Sequence, residues 1–429
     1  MRLLYNILFP IFLLIASPFY FWKLVRRGNW TEGFAQRFGF YGKLGQELRG
    51  ERVLWLHAVS VGEANLAVEL VENLRKEFGD WRYVVSTTTT TGMGVLRSRL
   101  PDGARAIYYP IDWLPFVKSA FRTLDPSSIV LVEAEIWPNL FWEANRAKVP
   151  LNLVNARLSE KSFEGYCRFD FLFRPLFESL NAVGVHNEID ADRIERLGSL
   201  RETIHAVGNM KFDGVSALKE SDFDASAMLA QLKIAKDAPV LVAGSTFEGE
   251  ENLLCALLPR WRELYPSLFL VLVPRHFERA KGVMESLDST GLNVARRSQL
   301  QSAPENPDVL LVDTTGELNA FYEVATLVFI GKSLTAQGGQ NPIEPAALGK
   351  PVIFGPFMQN FREVVRSLLE VKGAVQVADE EELADKISEL LGASAQREDL
   401  GSAAKGVVKA NKGATQRTAQ ILGQTLRAL

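Results

Sequence analysis

Residues 52–78 have the sequence RVLWLHAVSVGEANLAVELVENLRKEF, and this stretch decides the fold class of the chain. Its first six residues, 52–57, are an apolar run of strand length that leads through the loop AVSVGE into a longer segment. Apolar residues recur in that segment every four positions, as on one face of a helix: Leu66, Leu70, Leu74 and Phe78. The stretch therefore predicts a strand–loop–helix unit.

The same alternation of strand-like runs and helix-length segments continues along the chain. In the first half it predicts strands at residues 52–57, 83–86, 106–109, 129–132, 151–154 and 182–185. It restarts after a charged stretch, with strands predicted at residues 240–243, 268–273, 309–312, 327–330 and 352–354. An alternation of this kind predicts parallel sheets with helices on both faces.

We therefore predict an α/β protein with two Rossmann-like halves of similar size that face each other across a linker. A chain of 429 residues needs at least two domains, because single hydrophobic cores stop growing at about 250–300 residues. The predicted segments are a membrane anchor at residues 1–27, a first domain at 28–215, a linker at 216–236, and a second domain with C-terminal helices at 237–429.

Composition and charge exclude several classes of function. The chain is 47% hydrophobic and 23% charged, which suits an ordered protein with a sizeable core. Its net charge of −3 and its lack of a basic run argue against nucleic acid as a partner, because clustered Lys and Arg supply that affinity. The only cysteines are Cys167 and Cys255, and the four histidines lack paired spacing, so we expect neither a disulfide framework nor a protein-bound metal.

The N-terminus predicts a membrane anchor. Residues 3–22 (LLYNILFPIFLLIASPFYFW) carry no charge, and a helix of that length spans the hydrocarbon core of a bilayer, about 30 Å. Lys23, Arg26 and Arg27 follow directly, so the positive-inside rule places the rest of the chain in the cytoplasm. One asparagine and two prolines interrupt the run, so a helix lying in the membrane interface and a buried apolar helix remain alternatives.

Polar residues follow the first, second and fourth predicted strands of the first domain. Ligands of open α/β sheets bind at the carboxyl ends of strands, so these residues are candidates for a site. Glu63 lies in the first turn of a helix, where it serves either as a helix cap or as a catalytic base. Glu133 and Glu135 are either acids that face a substrate or caps of the helix that Pro138 starts. The threonine run at residues 87–91 favours a helix cap.

The second domain contains a more specific pattern. Arg275 directly follows a predicted strand, where a cation can bind a nucleotide phosphate, although a surface arginine is the alternative. Residues 331–344 (GKSLTAQGGQNPIE) form a glycine-rich loop before a helix that Pro342 starts, and its N–H groups suit a phosphate. Glu344 can accept hydrogen bonds from a ribose. With Glu317 at a neighbouring strand end, this pattern predicts a sugar-nucleotide site rather than a dehydrogenase or P-loop ATPase.

Six motifs, in this order, resemble those of the 3-deoxy-D-manno-octulosonic acid (Kdo) transferases. They are HAVSVGE at residues 57–63, EAEIWPN at 133–139, NARLS at 155–159, GNMKFD at 208–213, VPRH at 273–276 and GGQNPIE at 338–344. The resemblance covers almost the whole chain and implies a GT-B glycosyltransferase, in which two Rossmann-like domains face each other across a cleft that contains the active site. It also implies the reaction: inverting transfer of Kdo from CMP-Kdo to a hydroxyl of the tetraacyl lipid A precursor (lipid IVA). The implied setting is lipopolysaccharide inner-core biosynthesis on the cytoplasmic face of the inner membrane, with inner-membrane lipid as a further partner.

The same resemblance implies roles for individual residues. Glu63 matches the family's general base, and Glu133 and Lys211 match residues that stabilise the transition state. The residues that match its CMP-binding segments are Pro274, Arg275, Gly316, Glu317, Leu318, Asn341, Pro342, Ile343 and Glu344. No metal or other cofactor is expected, because an arginine and a helix N-terminus can stabilise the leaving phosphate. Lys332 and Gln340 depart from the family's glycine and histidine.

Two other functions remain open at this point. A GT-B transferase of another nucleotide sugar would have the same architecture, since one fold serves many donors. A membrane-tethered protein that binds a sugar nucleotide without turnover would keep the scaffold, although the intact Glu63 and Arg275 argue against it. Release of CMP from CMP-Kdo in the presence of acceptor lipid distinguishes the three.

Overall fold

The computed structural model describes residues 2–26, 32–133, 135–215 and 223–429. Contacts between residues divide the chain into two compact units. Unit 1 contains Met1–Lys211 together with Gly413–Leu429, and unit 2 contains Phe212–Lys412. Each unit has its own parallel sheet, as predicted for two Rossmann-like domains.

Unit 1 is built on a sheet of seven parallel strands. The strands are β1 (Val53–His57), β2 (Arg82–Thr87), β3 (Arg105–Tyr108), β4 (Ser128–Val132), β5 (Leu151–Ala156), β6 (Leu180–Val185) and β7 (Ile204–Ala206). The helices before and between them are α1 (Arg2–Arg26), α2 (Leu44–Glu47), α3 (Val61–Arg75), α4 (Thr90–Arg99), α5 (Leu114–Leu124), α6 (Pro138–Ala147), α7 (Glu160–Arg168), α8 (Asp170–Phe177) and α9 (Glu188–Arg196).

The central strands of this sheet are covered on both faces. Successive side chains of a strand point to opposite faces. In β1, Val53 and Trp55 therefore pack into one hydrophobic core, and Leu54 and Leu56 pack into another on the opposite face. Every residue of β1 and β4 is buried. This explains why these strands are continuous apolar runs rather than alternating ones.

Unit 2 repeats the architecture with a second sheet of seven parallel strands. These are β8 (Val240–Thr246), β9 (Phe269–Pro274), β10 (Val294–Arg296), β11 (Val309–Leu311), β12 (Leu327–Ile330), β13 (Val352–Phe354) and β14 (Val375–Gln376). Its helices are α10 (Ala225–Gln231), α11 (Glu250–Leu264), α12 (Ala280–Leu287), α13 (Leu318–Val324), α14 (Ile343–Ala347), α15 (Arg362–Glu370), α16 (Glu380–Gly392) and α17 (Ser394–Asn411).

Three of the described strands were not predicted, and all of them lie at the edge of a sheet. They are β7, β10 and β14, with three, three and two residues. An edge strand has a neighbour on one side only and is often short, so it does not need a continuous apolar run. The other described strands are those that the apolar runs predict.

The unit boundaries differ from the predicted domain boundaries. Unit 2 begins at Phe212 rather than at residue 237, because Phe212 is buried in its core and α10 lies within the predicted linker. Residues 216–222 of that linker lie outside the described residues. The last helix, α18 (Ala414–Arg427), belongs to unit 1 and not to the C-terminal domain. Its apolar residues complete the core beside α3: Ala414, Leu422 and Leu426.

Helix α1 begins on the surface of unit 1. The Tyr5 ring packs edge-on against Trp142 of α6, with 5.5 Å between the ring centres. Within the described residues, no helix is both long and apolar enough to cross a bilayer. The predicted membrane anchor is therefore not confirmed, and residues 1 and 27 of that prediction lie outside the described part of the chain. The exposed large apolar side chains of α1 are Leu3, Leu4, Ile7, Leu8, Ile11, Phe12, Leu14 and Ile15.

Candidate active site

The strand order of unit 1 brings the candidate acids together. The order is β3-β2-β1-β4-β5-β6-β7, so β2 and β3 lie on one side of β1 and the later strands lie on the other, and the order reverses between β1 and β4. Glu63 follows β1, and Glu133 and Glu135 follow β4, the strand next to it. In open α/β sheets, this switch point at the carboxyl ends of the strands is where ligands bind. The acids that the sequence singles out therefore share one location.

Glu63 caps helix α3 and is buried, with 6% of its surface exposed. Its backbone N–H donates to the Ser60 hydroxyl at 3.2 Å. Its carboxylate accepts the backbone N–H groups of Val59 at 2.7 Å and of Ser60 at 3.3 Å. The capping alternative is therefore present in the structure. A carboxylate offers roughly four acceptor positions, so about half of them remain for a substrate donor.

The threonine run after β2 provides a helix cap, as predicted. The Thr89 side chain accepts the backbone N–H of Gly92 at 3.0 Å, at the start of α4. The hydroxyls of Thr87 and Thr89 donate to the Val59 carbonyl at 3.1 and 3.0 Å. These bonds tie the loop that carries Glu63 to the neighbouring strand.

Glu133 has an unusual backbone and binds a lysine. Its φ of 62° lies in the left-handed region, which is unfavourable for a residue with a Cβ and often marks a functional site. Its N–H donates to the Val154 carbonyl of β5 at 2.8 Å. Its carboxylate forms an ion pair with Lys211, with 2.7 Å between Oε1 and Nζ. About a quarter of each side chain, 26% and 25%, is exposed, so the pair is accessible to a ligand.

Asn155 helps to position this lysine and also has a left-handed backbone, with a φ of 51°. Its side-chain oxygen accepts the backbone N–H of Met210 at 2.9 Å and lies 3.0 Å from Nε2 of His186. Met210 directly precedes Lys211 in the chain. The motif after β5 therefore fixes where the segment with Lys211 begins.

Glu135 belongs to the same cluster, although the resemblance assigns no role to it. The indole N–H of Trp137 donates to its Oε2 at 3.0 Å. Burial raises the pKa of Glu135 to about 7, and the nearby charges of Glu63 and, more weakly, Glu133 act in the same direction. The three acids therefore act on one another. We conclude that unit 1 brings three carboxylates and one lysine together at the carboxyl ends of β1 and β4.

Glu133 and Glu135 do not cap helix α6, so the capping alternative for these two acids is wrong. The first N–H groups of the helix go to Asp112, whose Oδ2 accepts from Asn139 at 3.1 Å and whose Oδ1 accepts from Leu140 at 3.2 Å. Asp112 is 1% exposed. It lies in the loop before α5, far from α6 in the sequence, and no local motif points to it.

In unit 2, Arg275 and Glu344 lie close enough to act on each other. Arg275 follows β9 and its side chain is exposed. Glu344 lies in the first turn of α14, and burial raises its pKa, whereas a hydrogen bond from Asn341 and the charge of Arg275 oppose the rise. Tyr322 also lies near Glu344, whose charge contributes to the raised pKa of this phenol after burial. The structure therefore brings together the predicted phosphate-binding and ribose-binding residues.

Glu317 has different neighbours. Arg297 donates two hydrogen bonds to its carboxylate, at 3.0 and 2.9 Å, and the Thr314 hydroxyl donates a third at 2.6 Å. Gly316 before it is left-handed, with a φ of 85°, and Leu318 after it begins α13. The Glu317 side chain therefore stabilises the turn between β11 and α13. A role for this turn in nucleotide binding stays a prediction.

The glycine-rich segment after β12 is a loop in which several residues have a left-handed backbone. The φ angles of Lys332, Gly338 and Gly339 are 55°, 124° and 70°. A Cβ on Gly339 would lie 2.5 Å from Sδ of Met358, so this position has no room for a side chain. At Lys332 the resemblance leads us to expect glycine, and glycine adopts the left-handed backbone of this position without strain.

The helix after this loop is shorter than predicted. It begins at Ile343 rather than at Pro342 and has five residues, so its dipole is weaker than that of a long helix. Asn341 accepts the N–H of Ile343 at 3.0 Å through its side-chain oxygen. Pro274 is the last, buried residue of β9. The phosphate-binding helix N-terminus that the sequence predicts is thus a weaker feature than expected.

Glu250 shapes the same loop, and the sequence patterns do not single it out. It is the first residue of α11 and is completely buried. Each sheet has a Gly-Glu pair at the start of the helix after its first strand: Gly62-Glu63 in unit 1 and Gly249-Glu250 in unit 2. This repetition could have identified Glu250 from the sequence. Its carboxylate accepts four backbone N–H groups at 2.7 to 3.1 Å, from Phe247, Lys332, Ser333 and Leu334.

No group of three or more His, Cys, Asp or Glu side chains that could hold a metal ion occurs in the part of the chain that the structure describes. Cys167 is exposed and Cys255 is buried, and neither forms a disulfide. The polar groups at the two sites include carboxylates, lysine, arginine, asparagine amides, a buried tyrosine and backbone N–H groups.

Comparison with known proteins identifies the family. Residues 32–214 match the family described as 3-deoxy-D-manno-octulosonic-acid transferase (kdotransferase). A 3-deoxy-D-manno-octulosonic acid transferase of Haemophilus influenzae is 32% identical over 402 residues, which cover 93% of this chain and 92% of that protein. One of Chlamydia trachomatis is 27% identical over 413 residues, covering 95% and 93% of the two chains.

A solved structure supports the architecture. The UDP-GlcNAc 2-epimerase from Neisseria meningitidis, bound to UDP-GlcNAc, aligns with a TM-score of 0.52 and 14% identity, covering 87% of this chain and all (100%) of that one. At this identity the likeness shows a GT-B-like fold and nothing about the ligand. The sequence matches go further, and they show that this chain belongs to the Kdo transferase family and is a glycosyltransferase.

Proposed function

We propose that this protein transfers Kdo from CMP-Kdo to a hydroxyl of a tetraacyl lipid A precursor, with inversion at the anomeric carbon. The reaction is a step of lipopolysaccharide inner-core biosynthesis. The family supplies the class of sugar. The observation that carries the chemistry is the cluster of Glu63, Glu133, Glu135 and Lys211 at the carboxyl ends of β1 and β4.

We assign the general base to Glu63. An acceptor hydroxyl is a weak nucleophile until a carboxylate takes its proton, and such a base contributes typically about 10²–10⁴-fold to the rate. A comparison within the chain supports this choice. Among the described residues, Glu250 accepts four backbone N–H groups, whereas the equivalent Glu63 accepts two. Glu63 therefore keeps acceptor positions for a substrate hydroxyl, and Glu250 is saturated.

We assign the stabilisation of the reacting sugar to Glu133 and Lys211. When the bond to the leaving group breaks, positive charge develops at the anomeric carbon, as in other glycosyl transfers. A carboxylate stabilises that charge, and the 2.7 Å ion pair holds Glu133 in place. Kdo is itself a carboxylic acid, so the accessible Lys211 also provides a cation for the substrate.

We assign donor binding to unit 2. Arg275 provides a cation for the phosphate of CMP, whose negative charge grows as it leaves. Glu344, with Asn341 bound to its carboxylate at 3.1 Å, accepts hydrogen bonds from the ribose. Because Arg275 supplies the charge that the leaving group needs, we propose that the reaction uses no metal and no other cofactor.

We further propose that the protein works at the cytoplasmic face of the inner membrane. The acceptor is amphiphilic and resides in lipid. Helix α1 exposes large apolar side chains, such as Leu14 at 72% and Ile15 at 76%, and an apolar helix face of this kind can lie in a membrane interface. Inner-membrane lipid is therefore a proposed partner of α1.

The test is turnover by the purified full-length protein. CMP-Kdo and the lipid acceptor are supplied, and both released CMP and the mass of the lipid are measured. We expect CMP and a heavier lipid to appear together. Turnover of another nucleotide sugar, but not of CMP-Kdo, would identify the protein as a transferase with a different donor. Binding of CMP-Kdo without release of CMP, in the presence of acceptor, would identify a non-catalytic binding protein.

A further inference from the structure

Two polar side chains at the start of α1 bond to buried groups of unit 1. The Tyr5 hydroxyl donates to Oδ2 of Asp112 at 2.9 Å. Asn6 and Asn139 exchange two hydrogen bonds between their side-chain amides, at 2.9 and 3.1 Å. The side-chain oxygen of Asn6 also accepts the backbone N–H of Leu114 at 3.2 Å. The first turns of α1 are therefore attached to unit 1 by directional bonds as well as by apolar packing.

The partners of α1 are among the most buried polar groups of unit 1. Asp112 is 1% exposed, and Asn139 and Glu143 are 0% exposed. Glu143 forms ion pairs with Arg2 of α1 and with Arg146 of its own helix. A buried polar group that loses its partner is costly, because it can no longer bond to water either. Helix α1 therefore completes the polar interior of unit 1.

The same residues fix the start of helix α6. Asp112 accepts the backbone N–H of Asn139 at 3.1 Å, and the side-chain amide of Asn139 donates to the Asp112 carbonyl at 2.7 Å. Helix α6 directly follows Glu133 and Glu135, which we call the acidic turn. Its N-cap residue, Trp137, donates to Glu135 at 3.0 Å. Hydrogen bonds from α1 to Asp112 and Asn139, the short backbone segment from Asn139 back to Trp137, and the bond from Trp137 to Glu135 therefore connect α1 to the acidic turn.

We infer that Tyr5 and Asn6 are positioning residues of the active site. By bonding to Asp112 and Asn139, they fix the position of the N-terminus of α6. Through α6 they fix the position of the acidic turn. Helix α1 is then a part of the catalytic unit and not only an attachment to lipid. This inference rests on the proposed function, because that function gives the acidic turn its role in the reaction.

A tether and a positioning element have different consequences. A tether acts only by bringing the protein to lipid, so its polar side chains do not affect turnover of an acceptor dispersed in detergent. A positioning element affects turnover of any acceptor, since a displacement of about 1 Å in the acidic turn can cost about 100-fold in rate. Donor affinity, which we assign to unit 2, is unaffected in both cases.

The experiment uses the full-length protein with detergent-dispersed acceptor. Asn6→Leu removes all the side-chain bonds of Asn6, and Tyr5→Phe removes only one hydroxyl. Asn73→Leu is the matched control, because it makes the same change at an asparagine of α3 whose side-chain amide bonds within its own helix, to the Glu69 carbonyl at 2.9 Å. We expect Asn6→Leu to lower kcat by about 10- to 100-fold with an unchanged KM for CMP-Kdo. Tyr5→Phe should give a smaller loss in the same direction, and Asn73→Leu should match the wild type.

Two readouts are measured on the same preparations. Normal kcat in folded Asn6→Leu, even with a lower melting temperature, would overturn the inference and leave Asn6 a purely structural residue. Hydrogen exchange at the Asn139 and Leu140 amides does not depend on activity. We expect faster exchange in Asn6→Leu than in Asn73→Leu, and equal exchange would also overturn the inference. If the wild type does not turn over CMP-Kdo but the exchange rates respond, the proposed function fails while the coupling of α1 to the acidic turn holds.

Discussion

Replacement of Glu63 by glutamine separates catalysis from helix capping at this position. Glutamine keeps the size of the side chain and one oxygen that accepts hydrogen bonds, but it cannot take a proton. If Glu63 is the general base, kcat falls by at least about 100-fold. The affinity for CMP-Kdo stays unchanged, because a base acts only as the acceptor oxygen attacks.

The accompanying loss of stability follows from the contacts of the carboxylate. The amide oxygen of glutamine can keep the shorter bond, 2.7 Å to the Val59 N–H, whereas its NH₂ group cannot accept the 3.3 Å bond from Ser60. The variant loses this hydrogen bond and also the negative charge at the N-terminus of α3. Together these losses lower the free energy of unfolding by about 2 kcal/mol. For a domain of this size, that lowers the melting temperature by about 4–8 °C.

The assay measures kcat by CMP release, CMP-Kdo affinity by calorimetry, and melting temperature on one preparation. Glu250→Gln is the control for kcat alone, measured at saturating CMP-Kdo, because it removes an acid of unit 2 to which we assign an effect on donor affinity but no proton transfer. A Glu63→Gln protein with near-normal kcat and a lowered melting temperature would refute the reasoning. Glu63 would then be a cap only, and the base would have to be sought at Glu133 or Glu135.

Other variants test the remaining assignments. Arg275→Ala should weaken binding of CMP and CMP-Kdo by about 1.5–3 kcal/mol in calorimetry, the worth of a charge-assisted hydrogen bond; unchanged affinity would mean that the phosphate binds elsewhere. Glu250→Gln should weaken CMP binding about tenfold, or by about 1.4 kcal/mol, because its NH₂ group cannot accept the two N–H groups that one carboxylate oxygen accepts, and at least one of these belongs to the loop after β12. Full affinity would show that this loop does not shape the donor site. Glu135→Gln tests the raised pKa of Glu135. Folding raises this pKa from 4.5 to about 7, so the folded state binds the proton more tightly than the unfolded state. The wild type therefore loses stability as the pH rises from 4.5 to about 7. The variant lacks this loss, and thermal melts that run parallel for both proteins from pH 4.5 to 8 would count against the shift.

The sequence predicts the central part of each sheet well because burial dictates its composition. β12 and β13 coincide with the predicted residues 327–330 and 352–354, where both faces of the sheet are covered. Three of the four described edge strands, β7, β10 and β14, are very short and were missed, whereas the edge strand β3 was predicted. The position of α18 was also wrong, because the sequence pattern shows an apolar helix face but not which hydrophobic core that face packs into.

The same distinction holds at the candidate site. The rule that ligands bind at strand ends correctly brought Glu63 together with Glu133 and Glu135. Asp112 and Glu250 escaped notice because each acts on backbone N–H groups that are remote in sequence. Lys211 has no local pattern that distinguishes it, and only the resemblance to the family singled it out before its ion pair with Glu133 was seen.

The most direct test of the central claim is mass spectrometry of the lipid product. Purified protein is incubated with CMP-Kdo and the tetraacyl lipid A precursor, with the Glu63→Gln variant in parallel. We predict a lipid heavier by Kdo, one CMP released for each Kdo added, and a rate for the variant at or below about 1% of the wild type. A lipid of unchanged mass in the presence of bound CMP-Kdo, or equal product from both proteins, would contradict the account.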